Sequence, residues 1–200
     1  MQEGPASCRP CAFVGVATVS PSALPPLCLT SLMPQLTLNG RRYDFEPGAT
    51  ILDVARAHGI EIPALCWYPK LPTVANCRIC LVTVQGAPKL VPSCGTPATD
   101  GMVVETESPD AVANRRGVLQ LLLERYPSEH LANGGRTCPR NEFERYVTQY
   151  DVPVQPRELG LRHSDQRPGD VMIQHDMSLC ILCTRCVRAA RTSSRSGSWT

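Results

Sequence analysis

From residue 35 onward apolar and polar positions alternate. Leu36 and Leu38 stand between polar neighbours, Asn39-Gly40 interrupts, and Tyr43 and Phe45 resume the period on the far side. Alternation at period two on both sides of an Asn-Gly pair predicts a β-hairpin closed by a type I′ turn. Pro47-Gly48 ends it. Thr50 then N-caps a helix through Ile51, Leu52, Val54 and Ala55, with Gly59 at the C′ position. Ile79 to Val84 and Met102 to Thr106 read as strands, and a cysteine-bearing loop precedes the first of them. Strand, turn, strand, helix, loop and two further strands predict a small α+β sheet crossed by one helix. Beyond it the period lengthens. Residues 111–126 predict a helix with Val118, Leu121 and Leu122 on one face and Pro127 as the stop. Residues 127–170 are loop-rich, broken by Gly134-Gly135, Pro153, Pro156 and Pro168-Gly169, with a short helix around Asn141–Tyr150. Residues 1–32 show no period, and after Ala190 the chain runs out as the low-complexity RTSSRSGSWT.

Composition changes this picture in one direction. The 200 residues allow one or two domains, but 19 prolines, 14 glycines and only 5% aromatics suit small cofactor-stapled domains better than one large core. A formal net charge of +2 selects no partner by electrostatics. Arg185, Arg188, Arg191 and Arg195 make a basic run that reads as a solvated tail, too narrow for a nucleic-acid face. The 11 cysteines are many and odd in number. Residues 11–29 are apolar but lack a basic n-region and contain Pro21, Pro25 and Pro26, so they make a poor secretory leader. No run is long and clean enough to span a bilayer. The expectation is a reducing compartment, with thiolates kept for metal. Cys8, Cys11 and Cys28 lack nearby partners. Residues 1–32 read as a disordered extension, or as a mis-annotated leader ahead of a true start at Met33.

The chemistry concentrates at Cys66, Cys77, Cys80 and Cys94, separated by 10, 2 and 13 residues. An iron in a [2Fe–2S] cluster already holds two sulfides, so the protein owes it two thiolates, and four cysteines complete the set. No coordination position remains for a substrate, which points to electron transfer rather than Lewis-acid chemistry. The short residues Ala75 and Asn76 let backbone N–H groups approach the sulfurs. Three alternatives stay open. A structural zinc site normally shows two Cys-x-x-Cys hooks, and here there is one. A redox pair at Cys77 and Cys80 leaves Cys66 and Cys94 without a role. The four could also be buried structural cysteines. No G-x-G-x-x-G follows a strand, so neither dinucleotide nor flavin binding is predicted.

The run PALCWYPKLPTVANCRICLVTVQGAPKLVPSC closely resembles the first cluster motif of the large iron–sulfur subunit of respiratory NADH–quinone oxidoreductase (complex I). The same module opens the large subunit of NAD-linked formate dehydrogenases and the diaphorase iron–sulfur subunit of NAD-reducing hydrogenases. The resemblance extends from about Met33 to Ala190 and is strongest at 62–95 and 176–190. It implies a β-grasp, plant-type [2Fe–2S] ferredoxin domain over 33–112, with Cys66 and Cys77 on one iron and Cys80 and Cys94 on the other. It implies a helical and loop region over 113–170 with a degenerate His-Cys site. There Tyr126 stands where the family has its His and Cys138 is the surviving thiol, so the second cluster is expected to be absent and His130 to be a surface imidazole. It further implies a truncated [4Fe–4S] ferredoxin-like segment over 171–200. There Cys180, Cys183 and Cys186 make half a ligand set, and Ala190 replaces the fourth cysteine of the run. With its second half missing, that segment is expected to be mobile and to hold no stable cluster.

The function so implied is an electron-transfer subunit, or a fragment of one. It would relay electrons from an NADH-oxidising flavoprotein toward quinone in the respiratory chain, with no substrate-converting site of its own. Its partners would be that flavoprotein and other subunits of a membrane-associated complex. It would sit on the cytoplasmic, inner face of the membrane without inserting, and bind no nucleic acid. The alternatives are a formate dehydrogenase or hydrogenase iron–sulfur subunit, a free-standing ferredoxin-like carrier, or an inactive truncated product.

Overall fold

The computed structural model describes residues 33–133, 135–155 and 177–195. They lie within one compact unit that spans Met33–Thr200. Cys8, Cys11 and Cys28, the expectations for 1–32, and the breakers Pro156 and Pro168-Gly169 fall outside the described residues.

The hairpin forms as its alternation predicts. Strands β1 (Gln35–Leu38) and β2 (Arg41–Asp44) pair antiparallel, Leu38 opposite Arg41. Asn39 and Gly40 both take positive φ, 50° and 80°, as a type I′ turn demands. Leu36 and Leu38 face inward while their neighbours are more exposed. Helix α1 (Ile51–Ala57) begins with a reciprocal cap. The Thr50 hydroxyl accepts from the Asp53 N–H, and the Asp53 carboxylate accepts from the Thr50 N–H. Gly59 at φ 71° turns the chain out of the helix.

Strands β3 (Leu81–Val84), β4 (Val91–Pro92) and β5 (Val103–Glu105) complete a mixed sheet of order β2-β1-β5-β3-β4. Its parallel pair is β1 with β5, Leu38 opposite Val104. Its core is built from Leu36, Leu38, Ile51, Leu52, Ile62, Val82 and Val104. The fold is α+β, as expected. The two-residue β4 escaped the pattern because it is too short to show a period.

Helix α2 (Pro109–Leu123) starts earlier than expected, because the Ser108 hydroxyl caps the Ala111 N–H and Pro109 fits the first turn. Its buried face also differs from the expected one. Ala111, Arg115, Leu119 and Leu123 are buried, while Leu121 is 64% exposed. A buried arginine hid that face from the apolar pattern. Arg115 donates to the Thr106 carbonyl (2.5 Å), to Glu107 (2.5 Å) and to the Tyr150 hydroxyl (3.1 Å), and so fixes α2 to the end of β5. Helices α3 (Glu129–Ala132) and α4 (Glu142–Gln149) close a second core with Leu65, Ile79, Leu119, Tyr126, Phe143, Tyr146 and Val147. Helix α5 (Arg185–Arg195) follows the last cysteine triplet.

Candidate metal centre

The cysteine loop lies at the seam between the two cores. Cys80 and Cys94 belong to the sheet core, while Leu65 and Ile79, next to Cys66 and Cys80, belong to the helical one. Each end of the loop is therefore anchored in a different apolar cluster. The β3–β4 ladder sets Leu81 opposite Pro92, and the Ser93 N–H donates to the Cys80 carbonyl at 3.2 Å. That register brings the Cys80 and Cys94 sulfurs to 3.3 Å. Helix α1 holds the same turn through Leu52 N–H to the Ser93 carbonyl at 3.0 Å. From the other side Asn114 of α2 donates to the Arg78 carbonyl at 2.8 Å. Ala75 and Arg78 take left-handed φ of 46° and 59° without being glycine. Such turns aim consecutive N–H groups into one concavity suited to negative charge.

Cys66 interacts with the Cys77 and Cys94 thiols, and Cys94 in turn with Cys80. The Cys66 thiol is held far below its ordinary value, chiefly by the Cys77 and Cys94 thiols that donate to it, with the Cys77 and Asn76 N–H groups adding to this. Cys80 is lowered to about 6, first by the Cys94 thiol, against burial. Cys77 and Cys94 are pushed up, first because each shares its proton with Cys66 and then by contact with Cys80 or by burial. Two sulfurs thus take charge readily and two keep protons that a metal must displace.

A [2Fe–2S] cluster fits these residues on two counts. The donor set is four thiols linked by contacts through Cys66 and Cys94, three of them buried. In addition, the Ser93 hydroxyl is buried with no hydrogen-bond partner, yet it lies close enough to Cys80 to lower its thiol. A charged sulfur would satisfy that orphaned donor. Among the described residues no three His, Cys, Asp or Glu side chains are arranged to hold a single ion. Ser93 was not singled out in the sequence, because a lone serine beside a cysteine carries no spacing signal.

Cys180, Cys183 and Cys186 do not join the four. Cys183 lines a cavity of about 370 Å³ together with Cys66, Cys77 and Val118, Leu121 and Leu122 of α2. The face of α2 expected to be core is thus the lining of this cavity. Leu182 and Thr184 flank Cys183 in left-handed conformation, φ 55° and 61°. Two such non-glycine positions on either side of one residue, one of them β-branched, are a strained turn that its surroundings must hold.

The reading of the basic run as a solvated tail is corrected at Arg185 and Arg188. Arg185 donates to the Ala64 carbonyl (2.8 Å) and to Glu142 (2.7 Å) and lies over the Tyr68 ring. Arg188 is buried and donates to the carbonyls of Pro72 and Cys66. The basic run looked like a solvated face because its acceptors are backbone carbonyls more than 100 residues upstream, which leave no mark on local sequence.

At the degenerate middle site Tyr126 is buried. Its hydroxyl donates to Glu144 and accepts from Asn141, both at 2.7 Å, and its ring packs on Phe143. Arg140 donates to the same carboxylate at 2.7 Å. His130 is half-buried, with Nε2 3.2 Å from the Cys138 carbonyl oxygen and 3.8 Å from Glu144, rather than a free surface imidazole. Cys138 is exposed. Tyr126, Asn141, Arg140 and Glu144 thus form one hydrogen-bonded network.

The comparisons with known proteins bear on this geometry directly. Residues 33–109 match the family described as 2Fe-2S iron-sulfur cluster binding domain. The matched segment contains Cys66, Cys77, Cys80 and Cys94. The chain is 35% identical over 156 residues to the mitochondrial NADH-ubiquinone oxidoreductase 78 kDa subunit of Candida albicans, covering 77% of this chain and 21% of that one. It is 37% identical over 157 residues to a subunit of the NADH-quinone oxidoreductase of Rhizobium meliloti, covering 78% and 18%. It is 35% identical over 171 residues to a subunit of the NADP-reducing hydrogenase of Solidesulfovibrio fructosivorans, covering 81% and 28%. Among solved structures, a chain of the NAD+-reducing [NiFe]-hydrogenase in the H2-reduced state superposes with TM-score 0.66 at 28% identity, over 80% of this chain and 67% of that one. The chain is therefore homologous to subunits of NADH-quinone oxidoreductases and pyridine-nucleotide-reducing hydrogenases. It spans about a fifth to a quarter of the length of these curated relatives. Among the described residues no helix is long and apolar enough to cross a membrane.

Proposed function

We propose that this chain is an iron–sulfur electron-transfer subunit, or part of one, in an NADH–quinone oxidoreductase-type complex. Cys66, Cys77, Cys80 and Cys94 would be the ligands of its [2Fe–2S] cluster. The observation that carries this is the set of contacts linking the four thiols, Cys80 to Cys94 at 3.3 Å and Cys66 to both Cys77 and Cys94, within a segment that matches the 2Fe-2S cluster-binding family. When bound, the cluster supplies one-electron chemistry. The protein's part is to hold it. Ala75 and Arg78 shape the concavity, Ser93 offers a donor to Cys80, and the two apolar cores on either side keep the loop from relaxing during turnover. In this reading the sheet with α1 is a β-grasp domain, and 171–200 belongs to a ferredoxin-like segment whose further ligands lie elsewhere.

The electron donor would be an NADH-oxidising flavoprotein and the eventual acceptor a quinone. The chain would sit peripherally on the inner face of the membrane through its partners. A hydrogenase-linked subunit is the second reading, favoured by the hydrogenase fold match and relative.

Anaerobic reconstitution of the full chain tests the assignment. The expected product holds two irons and two labile sulfides per chain and gives, when reduced, a rhombic paramagnetic signal with average g below the free-electron value. Each of Cys66→Ala, Cys77→Ala, Cys80→Ala and Cys94→Ala should abolish that signal and destabilise the domain, since metal-binding energy is folding energy in a small site. Stoichiometric zinc without iron would sink the assignment.

A further inference from the structure

Arg188 lies outside the set of ligands, and its surroundings are unusual. Its side chain belongs to α5, and the residue is only 8% exposed. Its Nε donates to the Thr184 hydroxyl at 3.3 Å, one terminal nitrogen to the Pro72 carbonyl at 2.6 Å, and the other to the carbonyl of Cys66. All three acceptors are neutral. Among the described residues no carboxylate lies within ion-pair distance of it, whereas Arg185, one turn earlier, pairs with Glu142. A guanidinium cannot shed its proton to escape burial. A buried cation served only by neutral acceptors is costly unless an anion stands nearby.

The residue whose carbonyl it grips is a proposed cluster ligand. Two ferric irons, two sulfides and four thiolates leave a net double negative charge, and the electron that reduces the cluster makes it triple. We propose that Arg188 is the counter-charge of the cluster at Cys66–Cys94, so that docking of the C-terminal helix raises the cluster's reduction potential. The proposal rests on the ligand assignment above. Reduction adds one electron and moves no proton or bond at Arg188. The guanidinium favours the more negative state because the attraction grows with each charge in a poorly solvated site. The electron comes from the donor flavoprotein in the complex, and from a chemical titrant in the test.

The experiment compares the full reconstituted chain with its Arg188→Gln and Arg188→Lys variants by anaerobic redox titration, with iron content and hydrogen exchange at residues 64–72 measured in parallel. In Arg188→Gln the reduction equilibrium should fall about tenfold, about 59 mV for a one-electron couple. Arg188→Lys, which keeps the charge and not the fork, should stay near the parent potential even where exchange at 64–72 quickens. An unchanged potential in Arg188→Gln with iron bound would overturn the proposal, and so would an equal fall in both variants, which would make Arg188 a packing residue. Iron lost from Arg188→Gln but kept in Arg188→Lys would support the proposal, whereas loss from both would overturn it. No iron in the parent chain would instead overturn the ligand assignment, and the proposal with it.

Discussion

Ser93 shows how much a single atom can decide. Its Oγ is buried beside the Cys80 thiol, which it helps to lower. A hydroxyl held there makes sense as a donor to a charged sulfur. Ser93→Ala should therefore leave iron loading intact and make the cluster harder to reduce, because one hydrogen bond to sulfur is gone. Ser93→Thr should keep the parent potential. A spectroelectrochemical titration that finds both variants equal to the parent would remove the donor role.

At the scale of elements, two buried ions tie the helices to what surrounds them. Arg115 joins α2 to β5 and α4 through Thr106, Glu107 and Tyr150. Arg115→Ala should cost roughly 3 kcal/mol by urea unfolding, since it strands the Thr106 carbonyl and opens a hole in the wall behind the cysteine loop. Glu144 organises α4. Burial pushes its carboxyl upward, but donors from the Arg140 side chain and backbone and from the Tyr126 hydroxyl outweigh that, and the group is held below its ordinary value. A carboxyl lowered by folding adds stability above its unfolded value, near 4.3, and loses it as pH falls through the folded one. Urea midpoints followed by the helical signal should thus fall on acidification through that window in the parent protein. In Glu144→Gln stability should start about 1–2 kcal/mol lower at neutral pH and fall less steeply. Equal slopes in the two proteins would show that other carboxylates govern the acid limb.

At the scale of the whole molecule, the cysteine loop is held by two cores and by a helix from the far end of the chain. The described elements all lie within the unit that begins at Met33. A protein starting at Met33 should accordingly load the same two irons, with the same potential, as the full chain. Failure to load iron would show that residues 1–32 contribute to the site. The hairpin, the cap at Thr50 and the spacing of Cys66, Cys77, Cys80 and Cys94 were legible in the sequence because they depend on short-range rules. Alternation, a side chain three residues from the N–H it caps, and ligand counting all act over a few positions. Three things were decided only by tertiary structure. The buried face of α2 runs through Arg115, whose charge is matched by Glu107 and whose other donors meet Thr106 and Tyr150 at the ends of β5 and α4, none of which a helical period reveals. Ser93 became an orphaned donor only because β3 and β4 pair in one register. The arginines of α5 found carbonyls on a loop about 120 residues earlier, where their burial depends on a surface that two separate cores build between them. Local physics writes the proposed ligands into the chain, but the charge around them is set by contacts between segments that the sequence keeps far apart.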